Sequence, residues 1–225
     1  MAKFVDQNAF GIIGIGRFGL ALANELLDSG KHVIALDKDE SRLQPLKNKM
    51  RDLYRIDSLT KEALGETGIG DCAAAVVCIG KDLESNLLAT LNLIELGIPR
   101  VISKAISDDH GLLLKKLGAE VVYPEVDMGT RLAWSLTTKN ALDFLALNDN
   151  FSIVELELSH EFDGKSLKEL NFRNRFGLNV ITVIRDGKAD ADIRPDTVLC
   201  GGAIIVVAGN NEKLHAFQEF NAKHA

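Results

Sequence analysis

Phe10-Gly11-Ile12-Ile13-Gly14-Ile15-Gly16-Arg17-Phe18-Gly19 is the stretch that decides the fold. An apolar run enters a turn of spacing G-x-G-x-x-G, after which Phe18, Leu22 and Leu26 recur every four residues until Gly30. That pattern reads as a strand, a glycine turn and a helix closed by a C-terminal glycine. Taken alone the glycine spacing says little. Here it lies between a strand and a helix, and Asp37 ends the next apolar run, 18 residues after Gly19, close to the ~20 of the dinucleotide fingerprint. Each residue has its own physical task. Gly14 permits the tight turn, Gly16 lets a phosphate approach bare backbone, and Gly19 lets the helix pack close to the strand. The helix N-terminus supplies N–H groups and a positive dipole end. Asp37 can accept two hydroxyl hydrogens from an adenosine ribose and would repel a 2′-phosphate, favouring NAD, ADP or ATP over NADP. The bland alternative is a degenerate version of the fold that binds nothing.

The alternation continues outward. His32–Leu36 is the second strand, and a polar helix is expected from about Glu40 to Met50. Ala73–Ile79 reads as a strand buried on both faces, Leu83–Leu96 as a helix ending at Gly97, and Arg100–Lys104 as a strand after Pro99. A helix over Asp109–Leu117 stops at Gly118, and Val121–Tyr123 is a last short strand before Pro124. Six strands alternating with helices predict a parallel, doubly wound α/β sheet, because parallel strands need crossovers. After Pro124 the rhythm changes. One helix is expected over Met128–Leu147, then a β-rich part: Phe151–Leu158, Leu178–Ile184 with a turn at Asp186-Gly187, Ala203–Ala208, and a helix over Asn211–Lys223. The division predicted is a nucleotide-binding domain over 1–125, a crossover helix over 126–143 and a small α+β domain over 144–225.

Composition narrows the function. The 225 residues are 46% hydrophobic and 26% charged with a net charge of −6, a globular mix that argues against a nucleic-acid surface. The apolar runs Cys72–Ile79 and Ala203–Ala208 reach eight and six residues, short of the ~20 of a spanning helix. No signal-peptide pattern is visible, and a cytoplasmic location is expected. Cys72, Cys78 and Cys200 are odd in number and form no C-x-x-C pair, so they read as apolar fillers in a reducing compartment.

Catalytic machinery is harder to find. The Tyr-x-x-x-Lys pair of short-chain dehydrogenases is absent: Ser58 and Asp127 stand four residues after Tyr54 and Tyr123. The histidines show no metal spacing. Arg17 is the unusual residue, a guanidinium in the phosphate turn that can neutralise a terminal phosphate, or else a solvent-facing residue at a helix start.

With these residues in hand a family can be named. FGIIGIGRFG (Phe10–Gly19), Asp37, CIGKDLESNLLAT (Cys78–Thr90), VISKA (Val101–Ala105) and GAEVVYPEVDMG (Gly118–Gly129) resemble, in order and spacing, the cytoplasmic RCK (KTN) subunits of Trk/Ktr-type potassium transport systems. FRNRFGLNV (Phe172–Val180) resembles the RCK C-terminal (TrkA-C) domain. The resemblance covers nearly the whole chain and implies a Rossmann-type domain followed by a small RCK C-terminal domain. It implies regulation and no turnover. Such subunits form homodimers that assemble into an octameric ring beneath a membrane-embedded K⁺-translocating partner at the inner face of the membrane. ATP versus ADP, or NADH versus NAD, changes the ring and so the gate.

By position, Gly14, Gly16, Phe18 and Gly19 would hold phosphates, with Arg17 on the γ-phosphate. Asp37 and Lys38 would take the ribose, Asp57-Ser58 and Ile79-Gly80 would flank the nucleoside, and Lys104, His110 and Glu125 would complete the site. Glu125 would also hold a divalent or monovalent cation beside the nucleotide. The helix after Pro124 would join two chains through Leu132, Leu136 and Trp134, unless these are ordinary core. Cyclic di-AMP, bound by some C-terminal domains of the family, would meet Arg173, Asn179, Val180 and Pro195. Two rivals stand beside this reading: an NAD-dependent oxidoreductase on the same fold, and a free-standing nucleotide sensor.

Overall fold

The structure, a computed structural model, describes residues 5–137, 141–148 and 150–224. The chain divides into two units, residues 1–124 and 125–225. In the first, β1 (Asp6–Ile13), α1 (Arg17–Asp28), β2 (His32–Asp37), α2 (Glu40–Leu43), β3 (Leu53–Arg55), α3 (Lys61–Glu66) and β4 (Cys72–Val77) follow one another. They are succeeded by α4 (Leu83–Glu95), β5 (Arg100–Lys104), α5 (Asp108–Leu117) and β6 (Glu120–Val122). The six strands form one parallel sheet in the order β3-β2-β1-β4-β5-β6, a doubly wound Rossmann-type arrangement. Successive residues of a strand point to opposite faces, so Ile13, Leu36 and Val77 enter one apolar cluster while Ile12, Ala35 and Val76 enter the other. Both faces are covered, which is why these strands read as continuous apolar runs.

Local chemistry sets the helix ends. Ser107 caps α5 by accepting the His110 N–H at 3.2 Å, and Asp108 and Asp109 stand in the first turn. Lys115 and Lys116 occupy the last turn, and Gly118, at φ +102°, closes it in the left-handed region. Asp82 caps α4, accepting the Ser85 N–H at 3.1 Å and its Oγ at 2.6 Å. The helix expected over Glu40–Met50 is shorter. α2 ends at Leu43, and Gln44–Leu46 is a 3₁₀ turn containing Pro45, which has no N–H to continue the helical ladder. β3 follows, a three-residue strand whose brevity leaves almost no periodic signal.

The second unit holds α6 (Pro124–Thr137), β7 (Ala141–Asn148), β8 (Phe151–Glu157), α7 (Phe172–Phe176), β9 (Asn179–Arg185), β10 (Lys188–Asp190), β11 (Ile204–Asn210) and α8 (Asn211–Lys223). Its sheet is antiparallel in the order β10-β9-β11-β8-β7. The long helix expected over Met128–Leu147, and the crossover helix expected to reach residue 143, are both corrected here. α6 ends at Thr137, residues 138–140 lie outside the described residues, and Ala141–Asn148 is a strand. The reason is tertiary. Its Ala and Leu residues suit a helix, but Asn148 pairs with Phe151 and the strand zips onto β8. The Asp186-Gly187 turn is as the sequence suggests: both residues have positive φ (49° and 71°), the type I′ geometry that joins β9 to β10.

Phenylalanines fill the core of this unit. Phe162, fully buried, lies 5.9 Å from Phe217, 6.2 Å from Phe176 and 6.0 Å from Phe220, ring centre to ring centre. Trp134 of α6 stacks on Phe144 of β7 at 4.7 Å, whereas Leu132 and Leu136 are exposed. Truncating Phe162 to Ala should cost the second unit about 3–5 kcal/mol, the range for buried aromatics. Urea unfolding followed through the single tryptophan, Trp134, reads this directly.

Candidate functional site

The strand order reverses between β1 and β4, and a doubly wound sheet opens its ligand crevice at that place, beyond the carboxyl ends of the strands. The Gly14–Gly19 turn lies there, and its glycines answer to different constraints. Gly14 sits at φ +95°, and a Cβ on it would come within 3.1 Å of the Ile79 nitrogen. A Cβ on Gly19 would lie 2.1 Å from the Gly14 carbonyl oxygen, so only glycine lets α1 start so close to β1. Around Gly16 there is nothing within 4 Å of the same position. Gly16 caps α1 without a side chain, no acidic residue stands in the first turn, and Arg17 is exposed beside it. This is open backbone at a helix N-terminus, the arrangement that accepts a phosphate.

Asp37 closes one side of the crevice. It is 4% exposed, and its Oδ2 accepts the Ile15 N–H at 2.6 Å while Oδ1 accepts the Asp39 N–H at 2.9 Å. Arg42 Nη1 lies 3.7 Å from Oδ2. The carboxylate thus ties the end of β2 to the glycine turn and retains lone pairs for further donors. Lys38 follows it, exposed, and contributes the smaller part of the pull that holds the Asp82 carboxyl below its ordinary value, after the hydrogen bonds from Ser85.

The opposite side is built by the ends of β4 and β5. Lys104 places its Nζ 3.5 Å from where a Gly80 Cβ would stand. Burial pushes the Cys78 thiol up to about 12, against the opposing charge of Lys104, so this cysteine stays protonated and unreactive. Behind these segments lies a fully buried amide not singled out from the sequence. Asn86 Nδ2 donates to the carbonyls of Ile79 (2.8 Å) and Lys104 (3.2 Å). Its Oδ1 accepts from Ser103 Oγ at 3.0 Å and lies 3.1 Å from His110 Nε2. Thr90 Oγ1 is 2.8 Å from the Asn86 carbonyl and 3.0 Å from Ser103 Oγ. His110 Nδ1 accepts the Ile106 N–H at 3.3 Å, which assigns the proton to Nε2 and makes the ring a neutral donor to Asn86. In the sequence, only the apolar pattern around Asn86 and Thr90 hinted that these polar residues face inward.

The remaining candidates are distributed differently. Asp57 and Ser58 follow β3 at the same end of the sheet. Asp57 pairs with Arg55 at 3.2 Å and Ser58 Oγ accepts the Thr60 N–H at 3.4 Å. Glu125 stands in the first turn of α6, in the second unit. Arg173 is exposed on α7, Asn179 and Val180 open β9, and Pro195 is exposed with its carbonyl accepting the Lys168 N–H at 2.7 Å.

Burial lowers the His110 pKa from the ordinary 6.5, because the imidazolium loses its hydration. An unfolded chain therefore binds this proton at a higher pH than the folded one. The contribution is complete above about pH 6.5 and is lost as pH falls through the lowered folded value. Urea midpoints measured from about pH 7.5 down to about pH 5 should fall on acidification, with a shallower fall in His110→Gln. A second expectation concerns the turn. Gly19→Ala should destabilise the first unit by at least about 1–3 kcal/mol, because the clash is with backbone; thermal unfolding checks it.

Comparison with known proteins places this geometry in context. Residues 10–124 match the TrkA-N domain and residues 151–222 the TrkA-C domain. The chain is 30% identical over 215 residues to the Ktr system potassium uptake protein A of Bacillus subtilis, covering 95% of this chain and 97% of that one. It is 32% identical over 206 residues to the protein of the same name from Vibrio alginolyticus, with 91% and 94% covered. Among solved structures, the GsuK RCK domain superposes with a TM-score of 0.67 at 20% identity, over 98% of this chain and 49% of that chain. The GsuK channel bound to NAD gives 0.64 at 19%, over 96% and 40%. The chain therefore spans about half or less of those two structures, and at such identity they speak for the fold alone.

Proposed function

The chain belongs to the TrkA-N/TrkA-C family, the family of the Ktr system potassium uptake proteins, and from that premise we propose that it is a regulatory subunit of a potassium uptake system. In this reading it binds an adenine nucleotide, ATP or ADP with NAD(H) as the variant, and gates K⁺ flux through a membrane-embedded partner without turning the nucleotide over. The observation that carries the nucleotide is the open Gly16 backbone at the start of α1, facing the buried Asp37 carboxylate at the end of β2. Among the described residues no helix is long and apolar enough to cross a membrane, so translocation falls to the partner.

Each residue has a role in the proposal. Gly14, Gly16, Phe18 and Gly19 shape the phosphate turn, and Arg17 reaches the terminal phosphate. Asp37 accepts the ribose hydroxyls and Lys38 supports it. Ile79-Gly80 and, at the far edge, Asp57-Ser58 flank the nucleoside, while Lys104 adds positive charge. His110 works from beneath, since both ring nitrogens are already engaged. Glu125 supplies a carboxylate to a cation beside the phosphates, the hard oxygen ligand that a divalent ion prefers. Two chains pair, and dimers form an octameric ring at the inner face of the membrane. The exposed Leu132 and Leu136 on α6 support pairing through that helix. In the second unit, Arg173, Asn179, Val180 and Pro195 would receive cyclic di-AMP.

Gating requires a ligand with unequal affinity for two ring states, since equal affinity shifts nothing. The γ-phosphate, held by Arg17 in one arrangement only, supplies that inequality. A coupling of ~1–3 kcal/mol per site, repeated around a ring, is enough for a decisive bias.

Calorimetry on size-calibrated protein with ATP, ADP, NAD, NADH and cyclic di-AMP tests the reading. Adenine-nucleotide binding to an assembly of eight chains, with no turnover, is the expected result. Turnover of NAD(H) by a plain dimer would return the oxidoreductase alternative, and failure to co-purify with any membrane subunit would return the free-standing sensor. Arg17→Ala should keep nucleotide binding and erase the ATP/ADP difference. A variant that still separates the two nucleotides as wild type does would sink the γ-phosphate role.

A further inference from the structure

We propose that Asn86 is the positioning residue of this crevice: one buried amide ties the Ile79 and Lys104 carbonyls together and so holds the Lys104 ammonium over Gly80, toward the phosphates. The inference rests on the nucleotide reading above and assigns the affinity of that site to a residue that lies beneath it.

An asparagine side chain has two N–H donors and a carbonyl with two lone pairs. Asn86 has no exposed surface, and all four capacities have partners: two backbone carbonyls on the nitrogen, a hydroxyl and an imidazole N–H on the oxygen. A buried amide used to this extent has one orientation, because rotating it would set N–H against N–H and carbonyl against carbonyl. The two carbonyls belong to different segments. Ile79 follows β4, and its nitrogen packs on the phosphate turn, 3.1 Å from the position of a Gly14 Cβ. Lys104 ends β5, and its Nζ lies over Gly80.

Ile79 is therefore held from both sides, its nitrogen against the glycine turn and its carbonyl by the Asn86 amide. The same amide sets how far the end of β5 stands from it. The strand ladder does not extend to this point, since the β4–β5 register runs only from Ala74↔Arg100 to Val77↔Ser103. Beyond Val77 the Asn86 amide bridges the two segments in place of strand pairing. Ser103 and His110, in turn, prevent the amide from turning. Asn86 itself touches no ligand in this scheme and acts through Lys104.

A double-mutant cycle tests the proposal on the full chain, with ADP and NAD as titrants in a calorimeter and a circular-dichroism melt of every variant. Asn86→Ser should weaken nucleotide binding by about tenfold in the wild-type background. In Lys104→Met the same change should weaken it by less than about twofold, because the charge being positioned is gone. Losses that multiply in the double variant would show that Asn86 acts independently of Lys104 and overturn the proposal. So would a lowered melting temperature with affinity unchanged, the signature of a purely structural residue. If Asn86→Ser does not fold, Asn86→Leu serves in the same cycle, since it keeps nearly the same volume, removes both N–H donors and adds no charge beside Lys104. Wild-type protein that binds neither titrant overturns the nucleotide reading and this inference together, a result distinct from the other two.

Discussion

The approach of α1 to β1 at Gly19 is the constraint on which the rest of the first unit hangs. The helix starts so close to the strand that a single carbon on Gly19 would meet the Gly14 carbonyl at 2.1 Å. That proximity aims the helix N-terminus at the sheet's reversal point and leaves Gly16 uncovered. It also presents the Ile15 N–H to the Asp37 carboxylate, whose bond at 2.6 Å ties β2 to the turn. Glycine at one position thus sets the pose of a helix, a backbone cradle and an acidic side chain together.

The two sides of the crevice use different physics. On the β2 side a buried carboxylate is held by backbone N–H groups, and a guanidinium stands nearby. Charge-assisted bonds to an ionised group of this kind are among the stronger ones available to a protein. On the β4–β5 side the holding group is a neutral amide with its partners complete, which avoids the desolvation penalty of a second buried charge. The neutral His110 fits that economy, because burial disfavours its protonated form. The result is a crevice whose cations, the exposed Arg17 and Lys38 and the half-buried Lys104, stand near neutral or already compensated walls.

The second unit owes its stability to a different device. Its antiparallel sheet packs against α7 and α8 through a group of phenylalanines, whose rings meet mostly at tilted or edge-on angles. Arg175 lies over two of these rings, 4.9 Å from Phe176 and 4.7 Å from Phe220, and keeps its charge toward solvent. The two units are separate solutions to burying an apolar face.

What the sequence determined by itself is what depends on near neighbours. The strand–helix alternation, the glycine turn, Asp37 at the end of β2, the left-handed Gly118 and the Asp186-Gly187 hairpin all follow from local periodicity or from backbone angles that few residues accept. Tertiary structure decided the rest. Ala141–Asn148 has helix-forming composition and becomes a strand because β8 lies beside it to complete the ladder. β3, three residues long, exists through its parallel pairing with β2. Asn86 looks in the sequence like one polar position on a helix. It becomes the hub of a buried network only once β4 and β5 bring the Ile79 and Lys104 carbonyls to it, from 7 and 18 residues away. Pairing and burial at such separations leave no mark on local pattern, because their energy comes from segments that meet only in the folded chain.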